Sequence, residues 1–221
     1  MQQRCPFPFV LLFIVLMLAP SLAPAQERSA QQVLDEHVQQ FLTAHKSSWE
    51  DMNVPERDGQ FLHDLIVEHG YTRALEIGTS TGHSAIWIAW ALSKTGGKLI
   101  TIEIDEDRYA EAVQNFREAG LSEFIDARLA DAHELVRELK GPFDFVFSDA
   151  DKDWYQHYFA DIAPKMSVGG CYTTHNMSTR HGELRGSARE YVDFLKSHKN
   201  FDTTVENDRS TGIAVSYKRS P

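Results

Sequence analysis

Ala74-Leu75-Glu76-Ile77-Gly78-Thr79-Ser80-Thr81-Gly82-His83-Ser84 is the stretch whose reading decides the fold. Its opening, residues 74–77, is a short apolar run of strand type, and residues 84–92 read as a helix. Between them stand Gly78 and Gly82, which let the backbone turn sharply and approach a ligand closely before the helix begins. A strand that enters a helix through a glycine turn is the first half of a crossover unit, and such units build parallel sheets.

Downstream the alternation continues. Residues 99–104 read as strand and 108–119 as helix, closed by Gly120 at the C′ position. A weak strand over 125–129 precedes a helix over 132–139, and the most apolar strand, 143–148, precedes a helix near 155–162. Residues 170–174 are strand and 188–195 helix; the runs 203–205 and 212–217 then follow each other across a turn-rich stretch with no helix between them. Upstream, Val33, Leu34, Val38, Phe41 and Leu42 line one face of a helix over 31–42. A second helix follows Asp58, read as its N-cap, with Phe61, Leu62, Leu65 and Ile66 as the buried stripe. The pattern predicts one α/β domain over residues 26–221, doubly wound around a mostly parallel seven-stranded sheet, with an antiparallel edge hairpin at the C-terminal end.

The bulk numbers narrow the partners. The chain has 221 residues, 42% hydrophobic and 24% charged, a globular profile. With 22 basic against 32 acidic residues the formal charge is -10, which repels phosphate backbones and disfavours a nucleic-acid substrate. Residues 1–25 differ in kind: Arg4 supplies a positive charge, Phe-Val-Leu-Leu-Phe-Ile-Val-Leu-Met-Leu (9–18) is apolar throughout, and Ala23-Pro24-Ala25 offers a small-x-small cleavage site. This reads as an export signal, since so short an apolar run does not cross ~30 Å of hydrocarbon; uncleaved, it would tether the domain. Cys5 leaves with the signal, and Cys171 alone makes no internal disulfide.

In an open α/β sheet the ligand lies at the carboxyl ends of the strands, near the switch in strand order. After the first strand the turn lacks the G-x-G-x-x-G dinucleotide fingerprint, because position 80 is Ser, which argues against a nicotinamide or flavin cofactor. After the second strand stands Glu103, able to accept both hydroxyls of a ribose and to repel a ribose phosphate; taken alone it is as readily a solvated strand-end carboxylate. After the third stand Asp131 and Ala132, where an adenine could lie with its amino group facing Asp131, although Asp131 is equally an N-cap. Together these stations describe a nucleoside bound without phosphates, as in S-adenosylmethionine (SAM).

Residues 76–84 resemble the first motif of the caffeoyl-CoA and catechol O-methyltransferase family. Phe145-Val146-Phe147-Ser148-Asp149-Ala150-Asp151-Lys152-Asp153-Trp154-Tyr155 closely resembles that family's fourth-strand signature, and residues 54–62, with Gly59-Gln60-Phe61-Leu62, resemble its element that closes over SAM. The matches run from about Met52 to Tyr217. The resemblance implies a SAM-dependent O-methyltransferase acting on a small phenolic acceptor, and a homodimer. It implies that Gly78 and Thr79 meet the methionine part of SAM, that Ser84 meets its carboxylate, and that Glu76, Gly82 and Val54 belong to the same cofactor site. Glu103 would hold the ribose, Asp131 and Ala132 the adenine, and Asp151 would lie near SAM. Asp149 is implied as a ligand of a divalent metal, and Lys152 as the group at the acceptor oxygen that takes its proton if burial depresses its pKa; a surface salt bridge to Asp149 or Asp151 is the plainer alternative.

The family completes its metal set with an Asp-Asn pair after the fifth strand. Here Asn176 matches and His175 does not. A set of Asp149, His175 and Asn176 has one carboxylate fewer and favours manganese or a later transition metal over magnesium. Two alternatives stand beside it: a metal-independent methyltransferase of the same fold, and a SAM-binding module without catalysis. His83 is expected to pack against the cofactor. His133, His157, His181 and His198 read as surface residues, and Trp154, Tyr155, Tyr158 and Phe159 as either an acceptor wall or a helix-packing cluster.

Overall fold

In the computed structural model, β1 (Arg73–Ile77), β2 (Lys98–Glu103), β3 (Ile125–Leu129), β4 (Phe143–Ser148), β5 (Met166–Thr174), β6 (Phe201–Glu206) and β7 (Ile213–Lys218) form one sheet. Their order is β3-β2-β1-β4-β5-β7-β6. The first five strands pair in parallel, while β7 runs antiparallel to both β5 and β6. This is the doubly wound sheet with an antiparallel edge hairpin that the sequence predicts. The chain winds outward from β1 to β3 and then returns to β4 on the other side of β1, which sets the switch point between β1 and β4. Described residues are 28–49, 52–179, 183–207 and 211–221; the expected export signal lies outside them.

Seven α-helices cover the sheet among the described residues: α1 (Ala30–Ala44), α2 (Glu56–His69), α3 (His83–Thr95), α4 (Glu106–Glu118), α5 (Ala132–Glu138), α6 (Tyr155–Ile162) and α7 (Gly186–Ser197). Strand alternation divides the core. On β4, Phe145 and Phe147 point to the face covered by α1 to α4, and Val146 to the face covered by α5 to α7. Every residue of α3 from His83 to Leu92 is buried, because the helix is wedged between the sheet and α2. The wedge is tight: a Cβ on Gly59 of α2 would lie 2.1 Å from Trp87 Cδ1 of α3.

Two element starts differ most from expectation. Strand β5 begins at Met166, earlier than 170, because an irregularity in the β4–β5 register carries the exposed Val168 and two glycines past the ladder. Asp58 is not the N-cap of α2; Pro55 holds that place, and Asp58 lies buried in the first turn with its carboxylate engaged elsewhere. Another carboxylate does local work: Asp144 of β4 accepts hydrogen bonds from Thr72 N (2.8 Å), Thr72 Oγ1 (3.0 Å) and Arg73 N (2.8 Å), pinning the start of β1 against its neighbour.

Candidate active site

The sheet ladder continues one residue past several strand ends, and those residues carry the chemistry. Gly78 N donates to Ile102 O (3.1 Å), Asp149 N to Ile77 O (2.9 Å) and His175 N to Ser148 O (3.2 Å). Gly78 has φ +95°, and a Cβ there would meet the Asp149 carbonyl oxygen at 2.6 Å, so only glycine allows the loops after β1 and β4 to come this close. At this switch point opens a cleft of about 350 Å³. Of the residues expected at the cofactor, Val54, Gly78, Thr79, Ser84, Glu103, Asp131, Ala132 and Asp151 line it, as does Asp149. Gly82 stands just behind as the N-cap of α3, and Glu76 lies beneath the floor.

Glu103 is held firmly. Its carboxylate accepts from Ser80 N (2.7 Å), Ile104 N (3.0 Å) and Asp105 N (3.0 Å), which fixes it at the lip of the cleft with a lone pair to spare. Asp131 is indeed the N-cap of α5, accepting from His133 N at 2.8 Å, and it lines the cleft as well. Glu76 is fully buried and accepts from Thr101 Oγ1 at 2.5 Å. Burial outweighs the Ser84 and Thr101 hydroxyls beside it and pushes its pKa up to about 8, so a neutral carboxylic acid sits under the glycine loop.

The wall opposite is the segment before α2. Asn53 Nδ2 donates to Thr81 Oγ1 at 2.7 Å, and Val54 O accepts from His83 Nδ1 at 2.8 Å. Because His83 Nε2 accepts from Trp87 Nε1 (3.1 Å), the ring carries its proton on Nδ1. Burial lowers its pKa and keeps it neutral. His83 therefore stacks on Trp49 (4.6 Å) and braces the wall; it does not line the cleft. His133, expected as a plain surface residue, lines the cleft and lies 4.3 Å from the Trp154 ring. Of the aromatic cluster only Tyr158 reaches the cleft; Tyr155 and Phe159 pack into the core beneath α6. Arg108 and Met52 also line it, and neither stood out in the sequence.

Lys152 is exposed on the turn Lys152–Trp154, away from the cleft lining, and makes no ion pair among the described residues. The burial that would suit it to accept a proton is absent, and so is the alternative salt bridge. Asp151 instead caps that turn, accepting from Asp153 N at 3.0 Å.

Beyond Asp149 the arrangement departs from the expected metal set. Asp149 Oδ2 lies 2.9 Å from His175 Nδ1, and Tyr155 Oη donates to Asp149 Oδ1 at 3.3 Å. The Nδ1 contact is a close ion pair whose angle falls outside hydrogen-bond geometry. On the far side, His175 Nε2 lies 2.9 Å from Asp58 Oδ2, and Thr211 Oγ1 hydrogen-bonds to both that oxygen (2.7 Å) and Nε2. Burial disfavours a charged ring, but the two carboxylates together prevail and raise its pKa to about 9. In its charged form the ring has no lone pair to give a metal. Asn176, half-buried with φ +63°, brings no further acid, and among the described residues no three His, Cys, Asp or Glu side chains are grouped to hold a metal ion. The residues present do not fit the metal that the resemblance implies.

Fold and cleft together define a doubly wound α/β protein with a nucleoside-sized cleft at its switch point. A family profile described as O-methyltransferase matches residues 26–208, and the chain belongs to that family. It is 41% identical over 112 residues to a catechol O-methyltransferase of Niastella koreensis, covering 49% of this chain and 50% of that one. It is 31% identical over 162 residues to caffeoyl-CoA O-methyltransferase 1 of Eucalyptus globulus, covering 68% and 65%. The chain thus matches 50% to 65% of the length of these curated relatives. Among solved structures it is similar to cofactor-bound Rv0187 from MTB, with TM-score 0.73 and 25% identity over 85% of this chain and 91% of that one. It is also similar to the O-methyltransferase TomG from Streptomyces achromogenes, solved with SAM, with TM-score 0.68 and 25% identity over 84% and 91%.

Proposed function

We propose that this chain transfers the methyl group of SAM to a hydroxyl of a small phenolic acceptor. The observation that carries the reading is the course of the cleft: it runs from Asp131 and Ala132 past Glu103 to the Gly78–Ser84 turn and ends against Asp149. A donor lying along it would offer its sulfonium carbon to an acceptor at Asp149. The catechol and caffeoyl-CoA O-methyltransferase names of the relatives and the SAM bound to TomG support it.

Each end of the donor meets suitable chemistry. Glu103, fixed by three backbone N–H groups, keeps an acceptor site for a ribose hydroxyl and would repel a ribose phosphate. Neutral Glu76 does not repel a methionine carboxylate placed near Ser84, as an ionised acid would. The sulfonium methyl is already activated. The acceptor oxygen attacks it, the C–O bond forms as the C–S bond breaks, the electron pair returns to sulfur, and the hydroxyl proton passes to Asp149. Alignment of the two reactants supplies much of the acceleration. A divalent metal elsewhere acidifies a chelated phenol; the residues here do not suit one, so no step runs through it.

We further propose, from Arg4, the apolar run 9–18 and Ala23-Pro24-Ala25, that the domain works outside the cytoplasm or tethered to its membrane. Calorimetric titration of the full-length chain with SAM and with NAD, followed by turnover on a phenol library, tests the reading. SAM binding with methylated phenol is expected. NAD binding without SAM binding would overturn it.

A further inference from the structure

We infer that Asp58, His175 and Asp149 form a built carboxylate–imidazolium–carboxylate chain that takes the place of a divalent ion, with His175 as a positioning residue that aims Asp149 at the acceptor. The inference rests on the methyl-transfer reading above, but its geometry stands apart from it.

The distances decide the state of the ring. Each ring nitrogen lies 2.9 Å from a carboxylate oxygen, one on either side. A neutral imidazole would set one bare lone pair against an anion at that distance; a ring protonated on both nitrogens faces both carboxylates with positive charge, hydrogen-bonded to Asp58 and ion-paired with Asp149. A metal held jointly by Asp149 and His175 would need Nδ1 deprotonated. The group is also out of water: Asp58 and His175 side chains are 1% and 5% exposed, and Asp149 is 12% exposed. Buried charges this close persist only when paired, and removing one partner strands the rest.

The chain is assembled from distant parts, which marks it as more than a chance surface pair. Asp58 comes from α2, His175 and Asp149 from the ends of β5 and β4, and Thr211 closes the far side beside Asp58. Helix α2 follows directly on the Asn53–Val54 wall of the donor cleft. Asp149 then presents its cleft side with Tyr155 behind it, and the imidazolium offsets one of the two carboxylate charges, as part of a metal's charge would.

The test needs no variant at its core. Mn²⁺ alone is titrated calorimetrically into the full-length chain, and turnover is measured before and after chelation with SAM binding followed in parallel. No saturable Mn²⁺ heat and turnover kept within about twofold are expected; saturable Mn²⁺ binding, or chelator-sensitive turnover restored by Mn²⁺, overturns the inference while leaving methyl transfer standing. Histidine-labelled protein should show one imidazole with both nitrogens protonated at neutral pH, and its absence counts against the chain. His175→Asp should gain Mn²⁺ binding. Asp58→Asn, which leaves the cleft lining intact, should lower kcat/KM for the acceptor about tenfold with SAM affinity unchanged; a loss of SAM affinity instead would overturn the positioning role. If no phenol is turned over at all, the methyl-transfer reading fails, and the Mn²⁺ titration and the imidazole spectra still judge this inference on their own.

Discussion

Glu103 shows how much one side chain can hold. Three backbone N–H groups converge on it, so it orders both the glycine turn and the start of α4 before any ligand arrives. Glu103→Ala should weaken SAM binding by about 1–3 kcal/mol, since a ribose hydroxyl loses its acceptor. A calorimetric affinity equal to that of the unaltered chain would remove Glu103 from the donor site. Asp149→Asn should leave SAM affinity nearly unchanged but lower turnover by about 100-fold, because the amide cannot take the acceptor proton; single-turnover kinetics at saturating SAM reads this directly. At this scale the sequence told well which residues gather at strand ends, since ladder geometry puts them there whatever their neighbours. It told badly what each side chain faces. Lys152 follows Asp149 closely in sequence yet is exposed, and His175 is bound to an aspartate far away in the chain.

The contact between α2 and α3 is where one element sets the position of another. At Gly59 the helices approach so closely that a methyl group would enter the Trp87 ring. Gly59→Ala should therefore cost about 1–3 kcal/mol through overpacking, despite the gain in helix propensity. Differential scanning calorimetry should show a melting point lower by several degrees; a rise would mean that α2 shifts freely, and its hold on the cleft wall with it. Strand and helix order was legible throughout because period and glycine turns are local signals. The misreadings at element ends have non-local causes. Asp58 has the residue type of an N-cap, but its carboxylate is drawn to His175, and Pro55 caps the helix instead. The start of β5 is masked by glycines and an exposed valine that the irregular register carries outward.

Across the whole molecule the buried ionisable groups set how stability follows pH. Glu76 binds a proton more tightly folded than unfolded, with its pKa moved from 4.5 to about 8 by burial. Its contribution is therefore fully present below pH 4.5 and is lost as pH rises toward 8. His175 has the same sign over a higher window, between 6.5 and about 9, through its carboxylate partners. His83 has the opposite sign, because burial keeps it neutral and the unfolded chain takes up the extra proton below pH 6.5. The net curve mixes all three, so the informative quantity is a difference between two chains. Glu76→Gln keeps the shape and the acceptor for Thr101 but cannot ionise. Relative to this variant, the unaltered chain should lose about 1.4 kcal/mol per pH unit across the window between its unfolded and folded pKa values. Chemical denaturation at a series of pH values, without ligand, measures both curves. Parallel curves for the two chains would mean that Glu76 is ionised in the folded state, and the neutral floor beneath the donor's carboxylate would be lost with it.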